Sequence, residues 1–393
     1  MIGSRWTIAA TVLSGLAVGA LVPGAALAQA GQEQWLRYRT GDDVERIVGR
    51  MPGQTVKLTS TRPDGVALPK LAATDPLFGL WQTPAVKSGG LWMALVRSRA
   101  GGPYDLLYVD TNADGSLGDQ QLQNSQFPPV KLLLPGSDGP TANHLGVKVQ
   151  ICGGQGQAVT SAACWYEGNI AVNGQATRCI LADANANGVF NDASKDSEQA
   201  DRIRLLDLAT PFAVGRAGKF IQVGGKLHSL TVAPDGACLE IASTTSAEFV
   251  RVRVPKSVSR LSVAGGNGLL LVEPADGPVQ IPPDSYRLNH WEACRKDAAG
   301  FEWRIIANAL DPRDTDIELA SSSAATLDIG EPLVSRCDHS ATGPTHVFSN
   351  PCIRGRRNET IIVTRQGQQP PPPTVMGANA DKTYEKRFSF EYG

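Results

Sequence analysis

Short stretches in which apolar and polar residues alternate recur along most of the chain. Clear examples are TVKLTS at 55–60, GVKVQIC at 146–152, LHSLTVA at 227–233 and FVRVRVP at 249–255. A period of two, in residues that are often β-branched, is typical of strands that bury one face. Clusters of Gly, Pro, Asn and Asp separate these stretches, as turns between strands require. The pattern predicts a chain built largely of short strands.

A helical pattern is scarce by comparison. The best candidate runs from Asp42 to about Met51, where Val44, Ile47 and Val48 share one face at helical spacing. The aspartate at its start can cap this helix, and the Pro-Gly pair after it ends it. We therefore predict an all-β fold class, with two or three β-sandwich or small-barrel domains and one short N-terminal helix.

Changes in composition suggest where these domains begin and end. A turn-rich stretch, PGSDGPTA at 135–142, predicts one boundary, and a change to Gly-rich strands after about residue 250 predicts another. The expected division is a β domain at 31–140, a second at 141–250 and a C-terminal Ig-like or transthyretin-like sandwich at 251–393.

The first 30 residues have the layout of a secretory signal peptide. Arg5 supplies a positive start, an apolar run follows from Ile8 to about Val22, and small residues form Ala28-Gln29-Ala30. The alternative is an N-terminal membrane anchor, but the run is short for a membrane span. We expect an exported protein, periplasmic or extracellular, with no membrane span after signal cleavage.

Charge and cysteine content refine this picture. The 393 residues include 37 Lys+Arg and 38 Asp+Glu, a net charge of −1, which argues against a nucleic-acid partner. All seven cysteines follow the signal segment, and export favours disulfides. We expect bridges at Cys337–Cys352 and between two of Cys152, Cys164 and Cys179. A zinc site of Cys337, His339, His346 and Cys352 is an alternative.

Two segments repeat one pattern of oxygen-bearing residues. YDLLYVDTNADGSLGD at 104–119 and TRCILADANANGVFND at 177–192 both end a strand with Asp-x-Asn-x-Asp/Asn-Gly. Calcium prefers six to eight oxygen ligands, and alternate residues of a curved loop can point at one centre. The candidate ligands are Asp110, Asn112, Asp114, Ser116 and Asp119 in loop 1 (110–119) and Asp183, Asn185, Asn187, Val189 and Asp192 in loop 2 (183–192).

Several details of these loops support the assignment. Glycine at the sixth place permits a sharp turn, after which the backbone carbonyl of Ser116 or Val189 can face the ion. Loop 1 carries three carboxylates and loop 2 only two, so loop 1 should bind calcium more tightly. The alternative is that both are Asn/Asp/Gly turns that need no metal.

Both loops resemble the first ten positions of EF-hand and dockerin-type calcium loops. They depart from those families at the twelfth place, where Gln121 and Ser194 stand instead of a bidentate acid, and strands rather than helices lead into them. The resemblance implies calcium as a structural cofactor but not an EF-hand switch. Asp119 and Asp192 are the residues that could replace the missing ligand.

The chain also resembles, over about half its length, uncharacterised secreted bacterial all-β proteins. The shared features are the strand-and-loop unit, the segment GKFIQVGGKLHSLTVAPDG at 218–236 and the terminal FEYG. This resemblance implies export and an all-β fold, and it brings no activity with it.

No motif points to a reaction. The zinc-protease HExxH, the hydrolase GxSxG and the P-loop patterns are absent from the sequence, so no catalytic residue is assigned. Tryptophans such as Trp81 and Trp92 could form a sugar-binding platform or belong to the core, and the segment 285–297 is the best surface candidate. We expect a calcium-binding structural or binding protein whose partner is an extracellular protein or polysaccharide. The alternative is a hydrolase acting on a polymer, or an accessory domain of one.

Overall fold

The computed structural model describes most of the chain after residue 30. The described residues are 31–41, 43–70, 75–118, 120–123, 127–136, 139–152, 155–244, 248–274, 277–308, 316–320, 325–343, 345–372, 374–378, 381 and 383–389. The predicted signal segment, 1–30, and the candidate ligand Asp119 therefore lie outside them.

Strands dominate the described residues, so the predicted all-β fold class is confirmed. The strands are β1 Glu33–Trp35, β2 Arg37–Thr40, β3 Gln54–Leu58, β4 Leu77–Gln82, β5 Gly90–Arg97, β6 Tyr104–Val109, β7 Gln120–Gln123, β8 Val130–Gly136, β9 Gly139–Cys152, β10 Gln155–Ala162, β11 Cys164–Val172, β12 Gln175–Ala182, β13 Arg202–Leu205, β14 Gly215–Arg216, β15 Phe220–Val223, β16 Lys226–Val232, β17 Cys238–Ser243, β18 Val250–Arg253, β19 Arg260–Gly265, β20 Gly268–Val272, β21 Val279–Ile281, β22 Asp284–Lys296, β23 Glu302–Asn308, β24 Asp316–Leu319, β25 Ala325–Thr326, β26 Val334–Thr342, β27 Thr345–Arg354, β28 Thr360–Arg365, β29 Thr374–Ala378 and β30 Glu385–Ser389.

The short N-terminal helix is present as well. Helix α1 spans Val44–Val48 and follows Asp43, and Asp42, the predicted cap, lies outside the described residues. Val44 and Val48 are buried and pack with Trp165 and Ile180. The helix therefore covers the sheet that contains β11 and β12, as its apolar face predicted.

Two four-stranded sheets form the first sandwich. Their strand orders are β3-β10-β9-β8 and β4-β5-β6-β7. Val56 and Leu132 from one sheet and Met93 and Leu107 from the other belong to one buried cluster. Because both inner faces alternate apolar and polar residues, each sheet buries one side against the other.

The second sandwich uses the first and the middle parts of the chain. Its sheets have the orders β14-β13-β12-β11-β2 and β1-β17-β16-β15. Tyr166 and Leu181 from one sheet and Leu230 and Leu239 from the other share a core. The chain thus starts in the second sandwich, builds the first, and then returns.

The third sandwich follows residue 250. An eight-stranded sheet, ordered β20-β19-β22-β23-β28-β27-β26 with β24 beside β22, packs on the sheet β21-β18-β25. Its core holds Trp291 and Leu288 from the large sheet and Val252 and Ile281 from the small one. Strands β29 and β30 pair only with each other among the described strands.

The predicted domain limits can be compared with this strand pairing. The hairpin of β8 and β9 crosses residue 140, and β1 and β2 pair with strands beyond it. Strands after residue 250 pair among themselves. The division at 31–140, 141–250 and 251–393 remains a prediction, because strand pairing alone does not establish which segments fold independently.

The predicted disulfides are wrong for the described thiols. Cys164, Cys179, Cys238, Cys294, Cys337 and Cys352 are all free. In the hairpin of β26 and β27, Cys352 lies opposite Arg336, and the register shifts just after it, between Arg336 and Asp338. Cys337 therefore does not face Cys352 across the strands. The side chain of Cys152 lies outside the described residues.

The surface candidate at 285–297 is wrong for its aromatic residues, although Arg295 and Lys296 are exposed. This segment forms most of β22, and its two aromatic residues, Tyr286 and Trp291, are fully buried in the core of the third sandwich. Trp291 donates its indole N–H to Glu359 Oε1 at 2.8 Å. The aromatic side chains are therefore part of the core rather than a binding surface.

Within the part of the chain that the structure describes, no helix has the length and apolar character needed to cross a membrane.

Candidate metal centre

The two predicted calcium loops have the same backbone conformation. The fourth residue of each has a left-handed backbone, with φ of 63° at Ala113 and 53° at Ala186. The sixth residue does too, with φ of 83° at Gly115 and 86° at Gly188. A left-handed backbone strains residues that carry a Cβ, which explains the glycine at the sixth place. The repeat seen in the sequence is therefore a repeat of three-dimensional structure.

In loop 1, each oxygen-bearing side chain accepts a hydrogen bond from the backbone ahead of it. Asp110 Oδ2 accepts from the N–H of Gly115 at 3.1 Å, and Asn112 Oδ1 accepts from that of Asp114 at 3.0 Å. Asp114 Oδ1 accepts from the N–H of Ser116 at 2.8 Å. These bonds curl the chain so that the side chains of alternate residues surround the inside of the turn.

Asp110 is the least satisfied member of loop 1. Its side chain is 3% exposed, and its Oδ1 atom has no hydrogen-bond partner among the described residues. Burial raises the pKa of this carboxyl group, while the nearby backbone N–H groups of Gly115, Asn112 and Ala113 act in the opposite direction. A buried carboxylate oxygen without a partner is costly, and a cation is one of the groups that can satisfy it.

Backbone hydrogen bonds and one buried side chain hold loop 1 against the first sandwich. The N–H of Asp110 donates to the carbonyl of Trp92 at 3.0 Å, and Leu117 is fully buried. The Gly115 carbonyl accepts from Ala67, whose own carbonyl accepts from the N–H of Leu117. The open side of the loop carries Asn112 and Asp114, which are exposed. An ion could therefore enter from solvent while the buried side stays fixed.

Loop 2 repeats this pattern in a buried setting. Asp183 is 2% exposed and accepts from the N–H groups of Asn187 and Gly188, at 3.2 and 2.7 Å. Asn187 Oδ1 accepts from the N–H of Val189 at 3.0 Å. Both oxygens of Asp183 are thus occupied, unlike those of Asp110.

Asp192 closes loop 2 from the other side. Its Oδ2 accepts from the side-chain amides of Asn185 and Asn187, at 2.9 and 2.6 Å. The structure therefore brings together the predicted residues Asp183, Asn185, Asn187 and Asp192 around one turn. In this arrangement their hydrogen bonds are made within the protein, so loop 2 needs no ion to satisfy them.

Asp201 is a member of the loop 2 cluster that the sequence analysis missed. It is completely buried, and its carboxylate accepts from the N–H groups of Ala184 at 3.0 Å and Asp192 at 2.8 Å. Asp201 reaches the cluster because β12 and β13 pair antiparallel, with Ala182 opposite Arg202. This pairing places Asp183, just after β12, beside Asp201, just before β13. No local motif marks it, since its role depends on that pairing.

The buried carboxylates of loop 2 oppose one another's ionisation. Burial, with a contribution from the charge of Asp192, raises the pKa of Asp183 to about 7. Burial and the charges of Asp183 and Asp192 raise the pKa of Asp201 well above its usual value. A proton or a cation that neutralises part of this cluster is therefore favoured near neutral pH.

This cluster should make stability depend on pH. A carboxylate whose pKa is raised in the folded state binds more protons there than in the unfolded chain, so stability is lost as pH rises. We expect the free energy of unfolding in EDTA to fall between about pH 4, the unfolded value, and about pH 7, the folded value for Asp183. Urea unfolding across this range measures it.

The variant Asp201→Asn isolates the effect. Relative to the wild type, its stability should improve as pH rises through this window, because it has no charge to bury. Asp207→Asn changes an exposed carboxylate just after β13 and should leave the slope unchanged. If the free energies of unfolding of the wild type and of Asp201→Asn change in parallel with pH, the cluster does not titrate in this range.

Loop 2 lies where the three sandwiches meet. Trp81 of the first sandwich donates its indole N–H to the carbonyl of Ala186 at 2.7 Å. Phe190 belongs to the core of the second sandwich. Lys195, just after the loop, forms an ion pair at 2.6 Å with Asp316 of the third. Residues in loop 2 or just after it therefore contact all three sandwiches, so a change in the conformation of the loop would alter these contacts.

The remaining candidates are placed as follows. Ser116 follows Gly115, whose backbone is left-handed, and forms an isolated parallel β-bridge with Ala67. Val189 follows Gly188 and is buried. Within the described ranges, no three His, Cys, Asp or Glu side chains are arranged to hold a metal. Of the zinc alternative, these ranges cover the side chains of Cys337, His339 and Cys352, whereas that of His346 lies outside them. The described part of loop 1 therefore offers the carboxylates of Asp110 and Asp114 beside amide and backbone oxygens. Loop 2 offers those of Asp183 and Asp192, with Asp201 beside them.

Comparison with known proteins adds no relative to this chain. No protein-family model, no curated protein and no solved structure matches it.

Proposed function

We propose that this is an exported calcium-binding protein that serves a structural or binding role. Calcium is the expected cofactor of loop 1, held by Asp110, Asn112, Asp114 and Asp119 with the carbonyl of Ser116. The observation that carries the proposal is the buried Oδ1 of Asp110, which has no hydrogen-bond partner among the described residues. The export part rests on the signal-like pattern of residues 1–30.

The chemistry of loop 1 fits a hard cation. Its candidate ligand atoms are all oxygens. Backbone N–H groups donate to Asp110 Oδ2, Asn112 Oδ1 and Asp114 Oδ1, and the side-chain amide of Asn112 donates to Asp114 Oδ2. An oxygen that accepts one hydrogen bond keeps a second lone pair with which it can ligate an ion. Calcium accepts an irregular set of six to eight oxygens, and extracellular calcium fills even weak sites. A structural role is the one that such a site supports best.

In loop 2, protons and calcium are expected to compete for the same carboxylates. Its cluster of Asp183, Asp192 and Asp201 is internally hydrogen-bonded but carries more buried negative charge than its surroundings favour. We propose that calcium binds here by displacing protons, with Asp183, Asn185, Asn187, Asp192 and the carbonyl of Val189 as ligands. Binding at loop 2 should then weaken at low pH.

The proposal is tested by thermal unfolding of the mature chain in EDTA, in millimolar calcium and in millimolar magnesium. Calcium binding to the folded state stabilises by about 2.7 kcal/mol when its concentration is 100 times the dissociation constant. We expect calcium, but not magnesium, to raise the midpoint by several degrees. Equal midpoints in EDTA and calcium would reduce both loops to turns and end the calcium proposal.

A further inference from the structure

Two neighbouring hollows on the first sandwich share part of their lining. One has a volume of about 370 Å³ and reaches Trp92, and the other has a volume of about 690 Å³ and reaches loop 2. The residues that line both are Gln54, Thr55, Leu80 and Gln82. We call the two together the amide groove.

The groove runs along two neighbouring edge strands. Strand β3 is the edge of one sheet of the first sandwich, and β4 is the edge of the other. Hydrogen bonds between Thr59 and Phe78, at 2.9 and 2.7 Å, join the strands at one end. At the other end the Gln54 side chain bonds both backbone groups of Gln82, at 2.9 and 2.8 Å. Between these points the described strands form no ladder, although they remain close, since a Cβ on Gly79 would lie 2.6 Å from Cγ1 of Val56. Residues of both strands line the groove.

The lining combines the half-buried Trp92 with many neutral polar groups and three charged ones, those of Arg50, Lys57 and Glu198. Trp92 is half-buried at one end, and Gln82 is exposed in the middle. Asn187 and the exposed Gln199 and Arg50 line the other end. Carboxamide and guanidinium groups present donors and acceptors in fixed planes, which suits vicinal hydroxyl groups. An indole face packs against the apolar face of a sugar ring.

We propose that the amide groove binds a neutral oligosaccharide. Trp92 packs against one sugar ring, and Gln82, Gln199 and Arg50 hydrogen-bond the hydroxyl groups of the rings that follow. The inference rests on the proposed binding function and gives it a ligand class. Glu198 is the one carboxylate among the described lining residues, whereas most glycoside hydrolases use two. The groove therefore favours binding over cleavage.

Both calcium loops adjoin the amide groove. The carbonyl of Trp92 accepts the N–H of Asp110, the first residue of loop 1, at 3.0 Å. Asn185 and Asn187 of loop 2 line the opposite end. Ordering these loops with calcium would fix both ends of the groove, so saccharide affinity should be several-fold lower in EDTA.

The test is saturation-transfer NMR and calorimetry on the mature chain in millimolar calcium. The probes are glucose, galactose and N-acetylglucosamine oligomers of one to six units. We expect one series to bind, with affinity rising with chain length until the groove is filled. Trp92→Ala should weaken binding about ten-fold, given the usual worth of an aromatic contact. Gln82→Ala, at an exposed position whose backbone contacts to Gln54 remain, should weaken it several-fold.

Trp303→Ala is the matched control, because Trp303 is a half-buried tryptophan of the third sandwich. It should bind like the wild type. Failure of every series, unchanged binding in both groove variants, or displacement of the sugars by an extended peptide would overturn the inference. Calcium stabilisation without sugar binding would contradict only the proposal that the groove binds saccharides. Sugar binding without a calcium response would contradict only the proposed calcium sites.

Discussion

Replacing Asp110 with asparagine is expected to abolish the stabilisation that calcium gives through loop 1. The amide has one oxygen instead of two and no charge, so it cannot both accept the Gly115 N–H and ligate an ion from Oδ1. The expected loss is about 2.7 kcal/mol at calcium concentrations 100 times the dissociation constant. This corresponds to roughly 5–10 °C in the transition of a domain of 150–250 residues.

The same variant should behave differently without calcium. The wild-type carboxylate is buried with one oxygen unpaired, and burial raises its pKa because the charged form is disfavoured there. Asparagine removes that charge. We therefore expect Asp110→Asn to be as stable as the wild type in EDTA, or more stable. A calcium response that disappears without loss of the fold identifies a ligand rather than a packing residue.

The control for this experiment is Asp105→Asn. Asp105 also accepts hydrogen bonds from a nearby backbone N–H and a hydroxyl group, both of Ser98, at 2.7 and 2.6 Å. It lies on β6, outside the loop, so its variant should keep the full calcium shift. Thermal unfolding of the three proteins in EDTA and in calcium gives the comparison. An Asp110→Asn protein with a wild-type calcium shift would remove Asp110 from the site.

Replacing Trp81 with phenylalanine is expected to destabilise the first sandwich by about 2–4 kcal/mol. Trp81 is 1% exposed, and its indole N–H donates to the carbonyl of Ala186, which is fully buried. Phenylalanine removes the donor, leaves that carbonyl without its partner and leaves a cavity. Urea unfolding, followed by tryptophan fluorescence and circular dichroism, measures the loss.

The Trp81 variant also reports on loop 2. The N–H groups of Asn187 and Gly188 donate to Asp183, and their exchange with solvent reflects how often the loop opens. We expect faster exchange at these two positions in Trp81→Phe. The control is Trp303→Phe, which removes a half-buried indole N–H that donates to Asp297. This variant should lower the free energy of unfolding by less than about 1 kcal/mol. Equal costs for the two variants would argue against a special role for Trp81.

Sequence patterns predicted the secondary structure well because they depend on local chemistry. Alternation at 55–60 and 227–233 matches β3 and β16, and the helical face of Val44 and Val48 matches α1. A period of two identifies which side of a strand is buried, but it carries no information about which strand lies beside it. The pairing of β1 with β17, which joins the chain's start to its middle, could not be read from either segment.

The disulfide prediction failed for a related reason. It rested on the expected compartment and on proximity in the sequence, whereas a bridge needs two thiols that face each other. The register of β26 and β27 sets Cys352 opposite Arg336, so the thiols of Cys337 and Cys352 remain free. Register depends on how the two strands pair, and neither spacing in the sequence nor the expected compartment specifies it.

By itself, the sequence determined the two loops and their oxygen-bearing residues. Alternate Asp and Asn side chains bond the backbone just ahead of them, and a glycine takes the left-handed position, whatever surrounds the loop. Only the tertiary structure decided how the loops differ. Burial leaves Asp110 with an unpaired oxygen, and the pairing of β12 with β13 brings Asp201 beside Asp183. Burial and approach depend on residues far apart in the chain, and so the charge that each loop must neutralise is a property of the fold.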